Sequence, residues 1–474
     1  MRFRLIFAVL AVSVTGALLA ARADQGRGGQ GASQFIKFNA PVIALTHARV
    51  IDGTGAPPRE NQTLVISGGN ISAMGPASDV TVPEGATVID LTGKSVIPGL
   101  VMMHEHLYYP SGGMYGDFGL SFIRLYLAGG VTTIRTAGNH NGIMDLNIKQ
   151  RIDSGALVGP AMDATAPYLN GGGNHLQMAT LKDAADARRQ VDYWADMGAT
   201  SFKAYMEITR AELAAAIDQA HKRGLKLTGH LCSVTYAEAA AMGIDNLEHG
   251  FMASTDFFPN KQPDVCPGQT QGQQTVAALD PAGEPFKKLV ATLVDRHVTL
   301  TSTLPVFETF TPGRPLPPGL DVLVADQRAT FALGFARTAQ SQTSVYKTLF
   351  PKGMTLEFAF AKAGGMLTGG TDPTGGGGVI PGYADQRQVE LLVEEGFTPV
   401  EAIKICTLNG AKYLGRDSRI GSLAVGKQAD LVVIVGNPAA TISDIRHVDT
   451  VFRLGIGYDP PRLISSVAGK VGLW

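Results

Sequence analysis

The chain has 474 residues, 45% of them hydrophobic, with 40 basic and 41 acidic side chains and a formal net charge of -1. Such a balance offers no bulk electrostatic attraction to nucleic acid or to an anionic membrane surface, and the length suffices for a large core and more than one domain. The three cysteines lie far apart, so no disulfide framework is expected; their odd number leaves at least one free thiol, and the lack of any C-x-x-C spacing gives no support to thiolate-rich structural zinc.

Arg2 and Arg4 precede an uncharged apolar run at 5–20, and Ala21-Arg22-Ala23 then has the small-x-small form of a cleavage site. We read 1–23 as a signal peptide and the protein as exported, to the periplasm or beyond. A membrane anchor is the alternative, for which the run is short. No later stretch resembles a span, so no stable membrane insertion is expected once the signal is removed. Residues 24–39 begin Gly/Gln-rich and read as a flexible leader. From 40 to 97 short apolar runs alternate with turn residues such as Ser67-Gly68-Gly69-Asn70, which predicts β-strands. The same texture returns at 416–474, with strands at 429–435 and 450–454. Two β-rich ends flanking a different middle predict one small β domain, a β-sandwich, built from both termini.

The middle, 98–415, alternates strands and helices. Thr180 is read as capping a helix that ends near Gly198, followed by a strand at 200–205. Thr209-Arg210-Ala211-Glu212 and Thr235-Tyr236-Ala237-Glu238 are capping boxes, each opening a helix that is followed by a strand, at 225–230 and 244–249. Repeated units of this size require parallel strands with helical crossovers. The segment 259–350 is Pro/Gly/Gln-rich in places and reads as an insertion beside the site, holding one strand at 298–304; disorder is the other reading. Thr398-Pro399-Val400-Glu401 opens a further helix.

His104 and His106 lie two residues apart at the end of the apolar run 100–103, so on a strand both rings project to one face. Lys203, His230, His249 and Asp372 each close another predicted strand. In a parallel barrel such ends gather on one face, where active sites form. Neutral imidazoles and a carboxylate suit zinc and similar metals. Asp372 can also take a proton from water, although Thr371-Asp372-Pro373 is equally a good turn. An ammonium cannot ligate a cation; Lys203 makes sense as a neutral base, as a carbamate after CO2 adds to its amine, or as a solvated strand-end lysine.

In this order, on consecutive strand ends, the residues resemble the amidohydrolase superfamily of binuclear metal hydrolases. The flanks agree: Val96-Ile97-Pro98-Gly99-Leu100 resembles the entry into its barrel, and residues 421–431 the return into its β-sandwich. Asn246-Leu247-Glu248-His249-Gly250, with 43–53 and 398–415, looks most like the branch of imidazolonepropionase-related and Xaa-Pro dipeptidase-like enzymes. The resemblance implies a distorted (β/α)8 TIM barrel with a small β-sandwich. His104, His106 and Asp372 would hold one divalent metal and His230 and His249 a second, with zinc the expected ion at both. Carbamylated Lys203 and a hydroxide would bridge the two, and Asp372 would shuttle the proton to the leaving group. His175 and Tyr205 resemble substrate-binding positions, with a solvent-facing loop histidine and a packing tyrosine as their plainer readings. Relatives often carry an aromatic or histidine where this chain has Cys232, which puts a dipeptidase-like carbonyl contact in doubt.

The expected activity is hydrolysis of an amide or related C–N bond in a small peptide-like or N-acyl amino acid substrate. A mononuclear cyclic amidohydrolase or deaminase and a lactonase- or phosphotriesterase-type hydrolase are the rivals. A non-catalytic binding protein on the same fold is the remote one, and a homo-oligomer is compatible with the sequence.

Overall fold

The computed structural model describes residues 32–111, 113–172 and 180–473. The signal-peptide reading and His175 fall outside these residues. Eight parallel strands follow one another through the middle of the chain: β1 (Leu100–Glu105), β2 (Val131–Thr136), β3 (Ala161–Asp163), β4 (Ser201–Ala204), β5 (Lys226–Gly229), β6 (Asn246–Glu248), β7 (Thr299–Ser302) and β8 (Leu367–Gly369). Each pairs with its successor, β3 reaching β4 through the bridges Thr165–Ser201 and Leu169–Ala204. Beyond β8, the amides of Thr371 and Asp372 donate to the His104 carbonyl at 3.1 and 3.0 Å, so the last strand returns to the first. Gly370 permits that approach: a Cβ there would lie 2.5 Å from the His104 Cβ.

Helices cross between the strands, and their starts follow the side chains that satisfy free amides. The capping boxes at Thr209 and Thr235 open α4 (Arg210–Lys222) and α5 (Tyr236–Met242) after α1 (Gly119–Ala128), α2 (Ile143–Asp153) and α3 (Ala184–Asp196). Thr180 does not cap α3; Asp183 does, accepting from the Asp186 amide, while Thr180 bridges to Asn170. The segment 259–350 is helical rather than irregular: α6 (Gln269–Ala277), α7 (Glu284–Asp295), α8 (Leu304–Thr309), α9 (Ala325–Gln340) and α10 (Tyr346–Lys362). Glutamine has good helix propensity, which the Gln-rich run at 269–274 expresses. α7 and β7 are moreover a regular unit of the parallel set, so only part of the segment departs from the alternation. α11 (Tyr383–Glu395) and α12 (Pro399–Lys404) follow β8, the latter opened by the Thr398 capping box.

The chain ends meet in one continuous nine-stranded sheet, in which Leu431–Val435 pairs antiparallel with Lys94–Pro98. The uninterrupted apolar run Leu431-Val432-Val433-Ile434 reflects burial on both faces. Leu431 and Val433 enter the core of the terminal sheet, whereas Val432 and Ile434 face the main core with Ile97. Part of the expected leader is ordered: Phe35 is buried and Ile36–Phe38 forms the sheet's edge strand against Ile456–Tyr458. Cys232 and Cys266, 34 residues apart, are joined as a disulfide, and Cys406 is the buried free thiol. Among the described residues no helix is long and apolar enough to cross a membrane.

Candidate metal centre

The ends of β1, β4, β5, β6 and β8 converge on one buried cluster. Nitrogen atoms of His104 and His249 and an oxygen of Asp372 lie within 4.8 Å of one another, all on buried residues. The His106 Nε2 is 3.5 Å from Asp372 Oδ1, and the Lys203 Nζ is 3.3 Å from His104 Nε2. His230 completes the group, its ring centroid 4.3 Å from that of His249. All six expected ligands therefore meet. Tyr205 packs beside them, 5.0 Å from His230 and 4.9 Å from Tyr168 between ring centroids.

His249 and Asp372 each hold a left-handed backbone, with φ of 68° and 55°. Such conformations cost a non-glycine residue about 1–3 kcal/mol and persist where the surroundings fix them. Here they turn side chains that follow β6 and β8 toward the cluster.

Each of three rings is held through its Nδ1, and that of His249 also lies 3.9 Å from Asp372 Oδ2. His104 Nδ1 is 2.8 Å from Glu248 Oε2, His106 Nδ1 is 2.9 Å from the Gly138 carbonyl, and His249 Nδ1 is 2.8 Å from Thr303 Oγ1. A donor Nδ1–H toward Glu248 and Gly138 leaves Nε2 of His104 and His106 with its lone pair as an acceptor, which on His104 faces Lys203 Nζ at 3.3 Å. Glu248 in turn accepts from Arg135 Nη1 at 3.1 Å, and both are fully buried. Burial opposes the Glu248 charge, but Lys203 and Arg135 outweigh it and hold its carboxyl below the usual range.

Burial, with Lys203 close by for His104 and His106 and His230 for His249, keeps these three imidazoles well below their ordinary pKa. Neutral rings are the form that binds a cation, so the donor set fits divalent metals. Burial lowers the Lys203 ammonium to about 8, leaving a fraction of neutral amine near neutral pH, the form that can add CO2. Burial raises the Asp372 carboxyl, opposed by Lys203 and by the Thr374 hydroxyl.

Sequence reasoning missed several neighbours. Tyr108 lies two residues after His106 and continues its alternation; its ring is 4.6 Å from His106 and its hydroxyl bonds that of Tyr168. Tyr168 follows β3 and lies under Lys203, whose Nζ is 5.7 Å from the ring centroid. Arg135 and Thr303 carry no local signal, because their partners come from other strands.

The profile of the amidohydrolase family matches residues 361–457, a span that includes Asp372. An imidazolonepropionase from Porphyromonas gingivalis is 26% identical over 413 residues, covering 82% of this chain and 85% of the relative. A solved structure assigned as a prolidase from Bifidobacterium longum is 25% identical with a TM-score of 0.65, covering 88% of this chain and 94% of that one. The structure of a bottromycin amidohydrolase superposes with a TM-score of 0.68 at 19% identity, covering 94% of this chain and 96% of its own. The chain belongs to the amidohydrolase superfamily. It is an enzyme, a hydrolase acting on carbon–nitrogen bonds.

Proposed function

We propose that the protein hydrolyses the amide bond of a small peptide-like or N-acyl amino acid substrate at a pair of divalent cations, zinc in the first instance. The observation that carries this reading is the buried convergence of His104, His106, His230, His249, Lys203 and Asp372, with three imidazoles held neutral. His104, His106 and Asp372 would hold one cation, His230 and His249 the other, and Lys203, carbamylated, would bridge. When bound, such cations supply Lewis acidity toward a carbonyl and lower the pKa of water.

The chain's own groups supply the rest. Asp372, with its carboxyl raised by burial, accepts a proton from the attacking water and returns it to the leaving nitrogen. Tyr205 and the Tyr108–Tyr168 pair line the approach on the β1–β4 side and can orient a substrate carbonyl, a role His175 would share. The eight parallel strands read as a distorted (β/α)8 barrel at 98–415. The nine-stranded sheet reads as the β-sandwich of 40–97 and 416–474. The Cys232–Cys266 disulfide supports an exported protein, since such bonds persist in oxidising compartments.

The similarity to an imidazolonepropionase favours a second reading, a mononuclear cyclic amidohydrolase with Lys203 unmodified. Protein loaded with zinc and bicarbonate is to be assayed against N-acyl amino acids, dipeptides and cyclic amides. The proposal predicts chelator-sensitive cleavage of linear amides. Opening of cyclic amides alone selects the second reading, and no amide cleavage by metal-loaded protein overturns both.

A further inference from the structure

Beside His230 a cavity of about 60 Å³ opens between the end of β5 and the segment that follows β6. Met206, Leu231, Met252, Pro267 and Phe307 give it an apolar lining, and Phe307 sets its ring edge-on to His249 at 5.8 Å. Among the described lining residues His230 is the only ionisable side chain. Gln269, Gln273, Ser254 and Thr255 also line it; the Gln273 amide donates to the Tyr346 hydroxyl at 2.8 Å, the Ser254 hydroxyl to Asp256 at 2.9 Å and the Thr255 hydroxyl to the Cys232 carbonyl at 3.0 Å. A charged group entering here would lose water and gain no counter-charge, which is costly.

The outer wall is not part of the strand ends. It is the stretch 261–277, running into α6, and besides the Gln273–Tyr346 bond three ties fasten its start. Asp264 accepts from the Arg210 amide at 2.7 Å and from its guanidinium at 3.2 Å. Lys261 donates to the Ser233 carbonyl at 2.6 Å. The third tie is covalent: Cys266 is bonded to Cys232, two residues after His230. The Arg210–Asp264 pair is partly exposed, and such pairs contribute little on their own. The disulfide is therefore the covalent tie, beside the Lys261–Ser233 hydrogen bond, that holds the wall against the strand end carrying His230.

We propose that this cavity is the subsite for a short, uncharged apolar side chain or acyl chain of the substrate, and that the Cys232–Cys266 disulfide is its specificity-determining element. The inference rests on the amide-hydrolase reading and adds to it the class of substituent accepted.

Two probe series test it on the metal-loaded enzyme: N-acetyl amino acids varied in side chain (Gly, Ala, Val, Leu, Met, Asp, Lys) and N-acyl glycines varied in acyl length. Turnover is followed, and binding of the same compounds is measured by calorimetry, so that a failure of hydrolysis is read separately from a failure of selectivity. In at least one series kcat/KM, or affinity, should rise about fourfold per buried methylene, with charged members at least tenfold below apolar ones of similar size. Cys266→Ser should raise KM about tenfold for the preferred apolar members and little for the glycine or acetyl member, with kcat and metal content retained. Ala253→Asp, placed in the lining without touching the disulfide, should shift preference toward the lysine derivative. Selectivity absent from both series, or a Cys266→Ser effect equal for every probe, would overturn the proposal. If Cys266→Ser fails to fold, an unchanged preference in Ala253→Asp would do the same. Absence of cleavage alongside apolar-selective binding would refute the hydrolase reading and leave the subsite standing.

Discussion

Replacing Glu248 by alanine is the sharpest probe of how the site is held. Glu248 is fully buried; it accepts from His104 Nδ1 at 2.8 Å and from Arg135 Nη1 at 3.1 Å. Arg135 is equally buried, and its other partners, both neutral, are the Met103 carbonyl at 3.0 Å and Thr228 Oγ1 at 2.7 Å. Removing the carboxylate leaves a guanidinium in the protein interior without a counter-charge, at a cost of about 3–5 kcal/mol. In a unit of this size that corresponds to a fall in Tm of roughly 3–5 °C. Loss of the carboxylate behind a ligating histidine should weaken metal binding about 10- to 100-fold as well. Calorimetric melting of the metal-free protein and chelator competition for zinc measure the two effects separately. Glu248→Gln keeps an acceptor for His104 and should retain more metal affinity than alanine. The pair Arg135→Met with Glu248→Met should recover stability, because the stranded charge is gone, but not metal affinity. Unchanged zinc affinity in Glu248→Ala, alongside the stability loss, would refute the claim that Glu248 orients His104.

Asp372→Asn should leave secondary structure intact and lower kcat by roughly 10²–10⁴-fold in a steady-state assay, as expected for loss of a positioned proton carrier. Lys203→Ala should reduce metal per chain, with partial recovery on adding small carboxylates; full loading of that variant would argue against a carbamate bridge. Asp145 offers a pH test away from the centre. Burial raises its carboxyl to about 7, against which the Asn139 amide donates at 3.2 Å. A folded-state pKa above the unfolded value means the folded form binds the extra proton, so stability is greatest below the unfolded pKa and falls as pH rises toward 7. At pH 8 the cost is of order 4 kcal/mol. Asp145→Asn should therefore raise Tm at pH 8 and change it little at pH 4, measured by melting across that range.

The ligands were legible because their signal is local. A strand end, a residue type and an alternating spacing are all readable at 104–106, 203, 230 and 249. The capping boxes at Thr209, Thr235 and Thr398 were legible for the same reason: four consecutive residues contain the whole interaction. What escaped depends on contacts between distant segments. Arg135 reaches Glu248 across 113 positions, and the Cys232–Cys266 bond is fixed by how α6 and its approach fold back over β5. Thr180 was a plausible cap by type, yet Asp183 won because its side chain meets the Asp186 amide where α3 begins. The helices within 259–350 were hidden by glycine and glutamine runs that look like loop composition. The apolar faces of α7 and α10 are what fold them against the main core, with Phe286, Leu289, Leu356 and Phe360 all buried.

Metal content per chain, measured by elemental analysis on folded protein expressed with zinc and bicarbonate, tests the central claim most directly. The six converging side chains predict about two metals per chain, falling in Lys203→Ala. One metal per chain, unchanged in that variant, would contradict the bridged pair and point to the mononuclear site.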